Sequence, residues 1–209
     1  MKRFQIHALM ALLLCVSLGV AACSSGGGGG GAGAGGAPTV TAAPSATPRP
    51  KPTAIPKITV AFCQNIMTVA QANQFMHPPT PATTIRVDAP ASGGGSCNYE
   101  YKPFHAVVSV VFPATVIDVS NPQAVFAVAD KQLPQSSNVT MTTAAVSGVG
   151  DAAQFVTSVL IQPPLKMAAL QVIYGKIFFT CSNFNVQGSS FTTQQGYLTQ
   201  VCQQYVSQL

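Results

Sequence analysis

Charge is what this sequence has least of. Only 7% of its residues are Asp, Glu, Lys or Arg, against roughly a quarter in an average soluble domain. Ten bases outnumber five acids over the chain, but the excess lies at one end. Lys2 and Arg3 sit at the start, and Arg49, Lys51 and Lys57 occupy a proline-rich stretch. From Cys63 onward Arg86, Lys102, Lys131, Lys166 and Lys176 are balanced by Asp88, Glu100, Asp118, Asp130 and Asp151. Without a basic face nothing neutralises phosphates, so nucleic acid is excluded as a partner. A surface rich in Thr, Ser, Gln and Asn offers little electrostatic steering. Any partner must be recognised by shape and hydrogen bonding, which hints at glycans or another protein.

Further absences narrow the chemistry. There is no Gly-x-Ser-x-Gly elbow and no Ser-x-x-Lys, so neither an activated hydrolase serine nor a β-lactamase centre is encoded in the usual way. The five carboxylates are scattered, with no spacing that pairs them as a glycosidase would need. No closely spaced cysteine pair accompanies suitably spaced histidines, which argues against zinc. Met67, Met76 and His77 suit a core-lining and helix-ending role better than a copper ligand set. His77, beside Pro78-Pro79, and His105, at a strand start, read as turn or surface residues. Gly148-Val149-Gly150 lacks the lysine of a phosphate loop and leads into a strand, so it reads as a turn with Asp151 accepting nearby backbone donors. The expectation is a protein without catalytic activity, cofactor or metal.

What is present begins with the N-terminus. Met1-Lys2-Arg3 precedes the apolar run Ala8 to Ala22, the anatomy of a secretory signal. About fifteen helical residues rise roughly 22 Å, too short for a hydrocarbon core of about 30 Å. Val20-Ala21-Ala22-Cys23 resembles the lipobox of bacterial lipoproteins. The resemblance implies a signal spanning 1–22, cleavage before Cys23, acylation of its thiol, and an extracytoplasmic protein lipid-anchored to the bacterial membrane. Two or more acyl chains, at about 0.8 kcal/mol per buried methylene, hold a protein where one chain is marginal.

Residues 23–57 read as a disordered tether. Gly26 to Gly36 is almost all glycine and alanine, a flexible coil that cannot bury a core. Pro38 to Pro56 is rich in Pro, Thr and Ala and favours an extended spacer of about 3.1 Å per residue.

Residues 58–209 are long enough for one domain with its own core. Asn65 to Met76 reads as a first helix with Ile66, Val69 and Ala70 inward. A polar loop containing Ser92-Gly93-Gly94-Gly95 follows. Cys97 to Lys102 alternates, placing Tyr99 and Tyr101 on one side and Asn98, Glu100 and Lys102 on a side expected to face water. His105 to Phe112 is a more apolar strand. Asn121-Pro122 opens a helix reaching about Leu133. Val139 to Val146, Ala152 to Ile161, Met167 to Tyr174 and Lys176 to Ser182 read as four more strands. Ser190 to Leu209 is a helix with Leu198, Val201, Cys202, Tyr205 and Leu209 on one stripe. The pattern predicts an α+β fold: an antiparallel sheet of about five or six strands with helices on one face.

Cys63 heading a helix, Cys97-Asn98-Tyr99 opening a strand, Gly148-Val149-Gly150-Asp151-Ala152-Ala153 between two strands, and a closing helix together resemble an uncharacterised domain of Gram-positive cell-envelope lipoproteins. Tyr99 stands where that family often has tryptophan. The resemblance implies surface anchoring and this fold, and no reaction.

Cys15 leaves with the signal and Cys23 carries lipid, so Cys63, Cys97, Cys181 and Cys202 remain. Exported thiols are expected to pair, with three connectivities possible. Cys63–Cys97 and Cys181–Cys202 are the favoured pairs, pinning the N-terminal and C-terminal helices to strands. Cys202 lies on the apolar stripe, and Cys181 shares a strand face with Ile177 and Phe179. The functional expectation is a membrane-anchored binding domain whose partner is an envelope protein, a glycan or a small ligand. The alternative is a sensor or inhibitor-like module contacting another protein through Asn98, Glu100 and Lys102.

Overall fold

The computed structural model describes residues 50–114, 118–132, 139–160, 165–184 and 189–209. The signal at 1–22, Cys23 and the tether as far as Arg49 lie outside them, as do the expected ends at Leu133 and Ile161. The described chain forms helices α1 (Val60–Ile66), α2 (Val69–Met76), α3 (Pro122–Gln132) and α4 (Phe191–Gln208). Its strands are β1 (Thr84–Asp88), β2 (Gly95–Lys102), β3 (His105–Phe112), β4 (Val139–Val146), β5 (Ala152–Leu160), β6 (Leu165–Tyr174) and β7 (Ile177–Asn183). They make one seven-stranded sheet in the order β1-β2-β3-β7-β6-β5-β4, with every neighbouring pair antiparallel.

The α+β expectation holds, with one strand more than the five or six expected. The additional strand is β1, an edge strand whose Ile85 and Val87 register against Tyr99 and Cys97. Alternation divides the sheet into two faces. On one face Cys97, Tyr99, Val108, Val110, Leu170, Val172, Ile177, Phe179 and Cys181 join α1, α2 and α4 in the principal core. Helix α4 brings Leu198, Val201, Cys202 and Tyr205 to it, all fully buried. Ser190 starts that helix by accepting the Thr193 N–H, satisfying a donor that the first turn leaves open.

Helices are not confined to that face. Ile173 and Phe178 alternate with the core residues of β6 and β7, so they point to the other side, where Val125 and Phe126 of α3 cover them. The first helix also differs from expectation, because it is two. Met67 is extended, with φ of −145°, and Thr68 opens α2 with a capping box shared with Gln71. The reciprocal bonds satisfy donors at the start of α2, which a continuous helix would not need. Ile66 is buried as expected, whereas Ala70 is exposed and Ala72 faces the core.

Both favoured disulfides form. Cys63 and Cys97 have Cα atoms 5.8 Å apart and tie α1 to β2. Cys181 and Cys202, 6.1 Å apart, tie β7 to α4. Beside the first bridge, the Tyr99 hydroxyl lies 2.9 Å from the Met67 carbonyl oxygen, 3.1 Å from that of Cys63, and 3.0 Å from the Tyr205 hydroxyl. A side chain rooted in β2 thereby donates its one O–H to the carbonyls at the end of α1, the shorter contact being Met67, and can accept from the Tyr205 hydroxyl of α4. Burial pushes the Tyr99 hydroxyl up to about 12 and Tyr205 well above its ordinary value, so both remain protonated donors near neutral pH.

The polar side of β2 corrects the sequence reading. Asn98 is 6% exposed and Glu100 2%, so the strand is not half open to water; Lys102 alone of the three is exposed. The reason is β1. Arg86 registers opposite Asn98, and its Nε donates to Glu100 Oε2 at 3.2 Å while its guanidinium also pairs with Asp88. Asn98 donates to Asp88 and to Ser96 and accepts from Ser109. Polar groups are buried here because they satisfy one another.

The folded body also begins before residue 58. Lys51 pairs with Asp151, the Lys176 N–H donates to the Pro52 carbonyl at 2.9 Å, and Ile55 packs on the principal core. The last residues assigned to the tether therefore belong to the domain. The Gly148-Val149-Gly150 turn has positive φ at both glycines, and Asp151 accepts the Gly175 N–H at 2.8 Å, as the sequence reading anticipated. Gly175 combines φ of +61° with a backbone so close to Pro52 that a Cβ would lie 2.4 Å from its carbonyl oxygen. A side chain there would strain the turn and displace the docked segment.

Candidate functional site

A cleft of about 430 Å³ opens between the sheet and the helical layer, within the size range of small-molecule sites. Its sheet wall comes from Tyr101 of β2, Ala106 and Val107 of β3, and Asn183 at the end of β7. The helical layer supplies Met76 and Gln194 together with Tyr197, and the segment His77 to Thr80 closes one side.

The local sequence explains that segment. Helix α2 must stop before Pro78-Pro79, because proline removes the next donors and disfavours helical geometry in the preceding residue. The stop is His77, in the left-handed region with φ of 43°, where glycine is the usual occupant. Its ring lies against Tyr197, with centroids 5.3 Å apart. Gln194 is buried and bridges two walls, accepting from Asn183 Nδ2 at 3.0 Å and donating to Ser189 Oγ at 2.7 Å. The Ser189 hydroxyl keeps a donor for another partner. Among the described residues, neither the Tyr197 hydroxyl nor the Thr80 hydroxyl has a hydrogen-bond partner within the chain.

Among the described residues no Asp, Glu, Lys or Arg lines the cleft, and the nearest cation shown is the Lys102 Nζ, 5.7 Å from the centroid of the Tyr101 ring. The polar groups of the lining are amides, hydroxyls and one imidazole, so it offers directional hydrogen bonds. The position is equally specific. The seven residues of β7 rise roughly 20 Å at about 3.3 Å per residue. The β6–β7 turn that holds Pro52 stands at one end of β7, and Asn183 of the cleft stands at the other. The segment at Lys51 and Pro52 docks at one pole of the sheet and the cleft opens at the opposite pole.

Of the candidate residues singled out in the sequence, Met76 and His77 reach this cleft and the others fall outside it. His105 is exposed, and its Nδ1 lies 3.3 Å from the Tyr101 hydroxyl. Asn98 and Glu100 belong to the polar network on the other face of the sheet. Glu100 also accepts the Phe104 N–H at 3.2 Å, shaping the β2–β3 turn so that Phe104, at φ of 63°, stands 69% exposed under the Arg86 guanidinium. Among the described residues no His, Cys, Asp or Glu cluster could hold a metal ion, and no helix is long and apolar enough to cross a membrane. Tyr101, Asn183, Gln194 and Tyr197 carry no sequence motif; they converge only through the pairing of β2 with β3 and the seating of α4 on the sheet.

Comparison with protein-family models, with curated proteins and with solved structures found no match to this chain.

Proposed function

We propose that the chain is an extracytoplasmic lipoprotein, acylated at Cys23, whose domain binds a ligand in the cleft and performs no catalytic step. The observation that carries this reading is the placement of the cleft at the pole of the sheet opposite the docked segment at Lys51 and Pro52. A chain held at Cys23 through Gly- and Pro-rich sequence presents that pole outward, away from the lipid. The absence of Asp, Glu, Lys and Arg among the described lining residues suits retention of a ligand better than acid–base or electrostatic catalysis.

Mass spectrometry of protein extracted from native membranes tests the anchor. The expected N-terminal peptide begins at Cys23 and carries acyl chains, and a Cys23→Ala variant leaves the membrane fraction. An unmodified Cys23, or membrane retention independent of it, overturns the anchoring.

A second reading is supported by a different feature. The Lys102 to His105 turn projects Phe104 into solvent from a left-handed residue held by the buried Glu100. A sensor or inhibitor-like module would contact an envelope protein through this tip, in place of the Asn98-Glu100-Lys102 face. Loss of a stoichiometric membrane partner on Phe104→Ser, with the cleft intact, distinguishes this reading from the first.

A further inference from the structure

The two edges of the sheet are built differently, and from that difference we infer that β4 is the seam along which a second copy of this chain adds, antiparallel, to form a twofold dimer. The sheet ends in β1 on one side and β4 on the other, so among the described strands each has one neighbour and turns a row of backbone N–H and C=O groups outward. Such a row is a template for another strand, and proteins that stay single guard it with short length, charge, proline or a bulge. Strand β1 is guarded. It has five residues, two of them Arg86 and Asp88, and a copy laid against it about its middle residue would set Arg86 opposite Arg86.

Strand β4 has none of these guards. Its sequence, VTMTTAAV, carries no charge and no proline, and it pairs with β5 through every residue from Val139 to Val146 without a bulge. Strand β5 carries no Asp, Glu, Lys or Arg either. Toward its middle, both faces of β4 are bare. Thr142 and Ala144 lie opposite Thr157 and Phe155, on the side of the principal core, while Thr143 and Ala145 lie on the other side, and all four are exposed. The helices seat farther in, with α3 over Ile173 and Phe178 of β6 and β7.

What fits this edge is another β4. Opposed residues of an antiparallel pair share a face, so the twofold axis passes through a residue. About Thr143 it opposes that residue to itself, Thr142 to Ala144 and Met141 to Ala145. About Thr142 it opposes that residue to itself, Met141 to Thr143 and Thr140 to Ala144. Every pair is uncharged, so no like charges resist the approach. Thr and Ala on two open faces build no pockets for the alternate side chains of a foreign peptide, from which strand addition draws its specificity. The contact is isologous and closes at two copies. Antiparallel addition turns one copy end for end, leaving the two clefts at opposite ends of the doubled sheet. With Cys23 acylated as proposed, the 26 residues from Ser24 to Arg49, at up to about 3.3 Å each, let both copies attach to one membrane.

The test is sedimentation velocity of the full chain in a density-matched non-ionic detergent. One strand pair is a small interface, so the expected result is a reversible monomer–dimer equilibrium with Kd on the order of 10 μM. Amide exchange of the unmodified chain is expected to show β4 gaining protection as concentration rises through that value, with β1 unchanged. Thr143→Lys and Thr143→Glu, at an exposed position, are each expected to weaken the dimer about tenfold or more by setting like charges at or beside the axis. Their monomers keep the melting temperature, and an equimolar mixture of the two restores the dimer. A chain that stays monomeric throughout overturns the inference. So does a dimer indifferent to both substitutions, which places the contact elsewhere, or one that the mixture fails to restore. Open-ended growth also overturns it, because a contact closed on itself stops at two.

Discussion

The two faces of the sheet are stabilised by different physics. One is apolar, covered by α1, α2 and α4 and crossed by both disulfides. The other carries α3 over a small apolar patch and, toward β1 and β2, a network of Arg86, Asp88, Asn98, Glu100 and Ser109. Burial on the first face is non-directional and tolerates small adjustments. On the second it depends on each partner being present, since an orphaned buried group costs more than a satisfied one contributes. The molecule thus keeps its specificity of register on the side with the fewest contacts to helices.

Breaking the cross-links should show the largest difference between the faces. The bridges close loops with sequence separations of 34 and 21, each worth about 3–4 kcal/mol in the chain-entropy account. Denaturant titration of a Cys181→Ser/Cys202→Ser double variant is expected to show a loss of that order. An unchanged midpoint would place the stability elsewhere. On the polar face, Asn98→Ala removes a side chain bonded to Asp88, Ser96 and Ser109 and is expected to cost about 1–3 kcal/mol, with β1 losing amide protection before the rest of the sheet. A loss spread evenly over the sheet would contradict the local role of the network.

Asp130 sharpens the comparison with the opposite sign. It accepts from Gln154 Nε2 at 2.9 Å, and burial pushes its carboxyl above the ordinary range despite bonds from Gln154 and Gln171. A carboxyl raised in the folded state favours folding while protonated and opposes it once pH exceeds the raised value. Asp130→Asn should therefore raise the melting temperature near pH 7 and leave it almost unchanged near pH 3. The Gln171 Oε1 is buried without a partner, and the new amide brings a donor beside it. A stabilising effect equal at both pH values would disprove the ionisation argument.

The smallest effect is expected at the pole where Lys51 and Pro52 dock. The Lys51–Asp151 pair is exposed and worth little in water. Burial tends to raise the Asp151 carboxyl, but Lys51 and the Gly175 N–H outweigh it and hold the carboxyl below its usual range. That contribution is present above the unfolded-state value and disappears as pH falls through the depressed one. Asp151→Asn should barely move global stability at neutral pH, yet increase proteolysis in the segment before Ile58. High salt should reproduce part of that change.

Much of this architecture was legible in the sequence, for reasons that also explain the failures. Strands β3 to β7 and helices α3 and α4 were readable because alternation, the Asn121-Pro122 start and the α4 stripe are local signals. The Cys181–Cys202 bridge was legible from the apolar placement of its two cysteines, and Cys63–Cys97 was the favoured pairing that ties the first helix to the first strand. Strand β1 was missed because Thr-Ile-Arg-Val-Asp is short and its pairing lies in β2, not in itself. Missing β1 removed the partners of Asn98 and Glu100, so their polarity was misread as exposure. The division of the first helix was present in Thr68 and Gln71, a capping box that the apolar spacing obscured. The cleft gathers residues from 76 to 197, and its only warning was a histidine before two prolines.

Where the N-terminal segment meets the body also decides how the body resists being pulled. Drawn from its N-terminal side, the chain first sheds the Lys51 and Pro52 contacts, one ion pair and one backbone bond, in a peeling geometry that yields at low force. Unravelling then reaches Cys63, where the sulphur bridge passes the load directly to β2. Everything downstream of that staple, including the distal mouth, stays outside the stretched path until β2 itself is torn from its neighbours, so the design behaves as a short mechanical fuse in front of a locked frame.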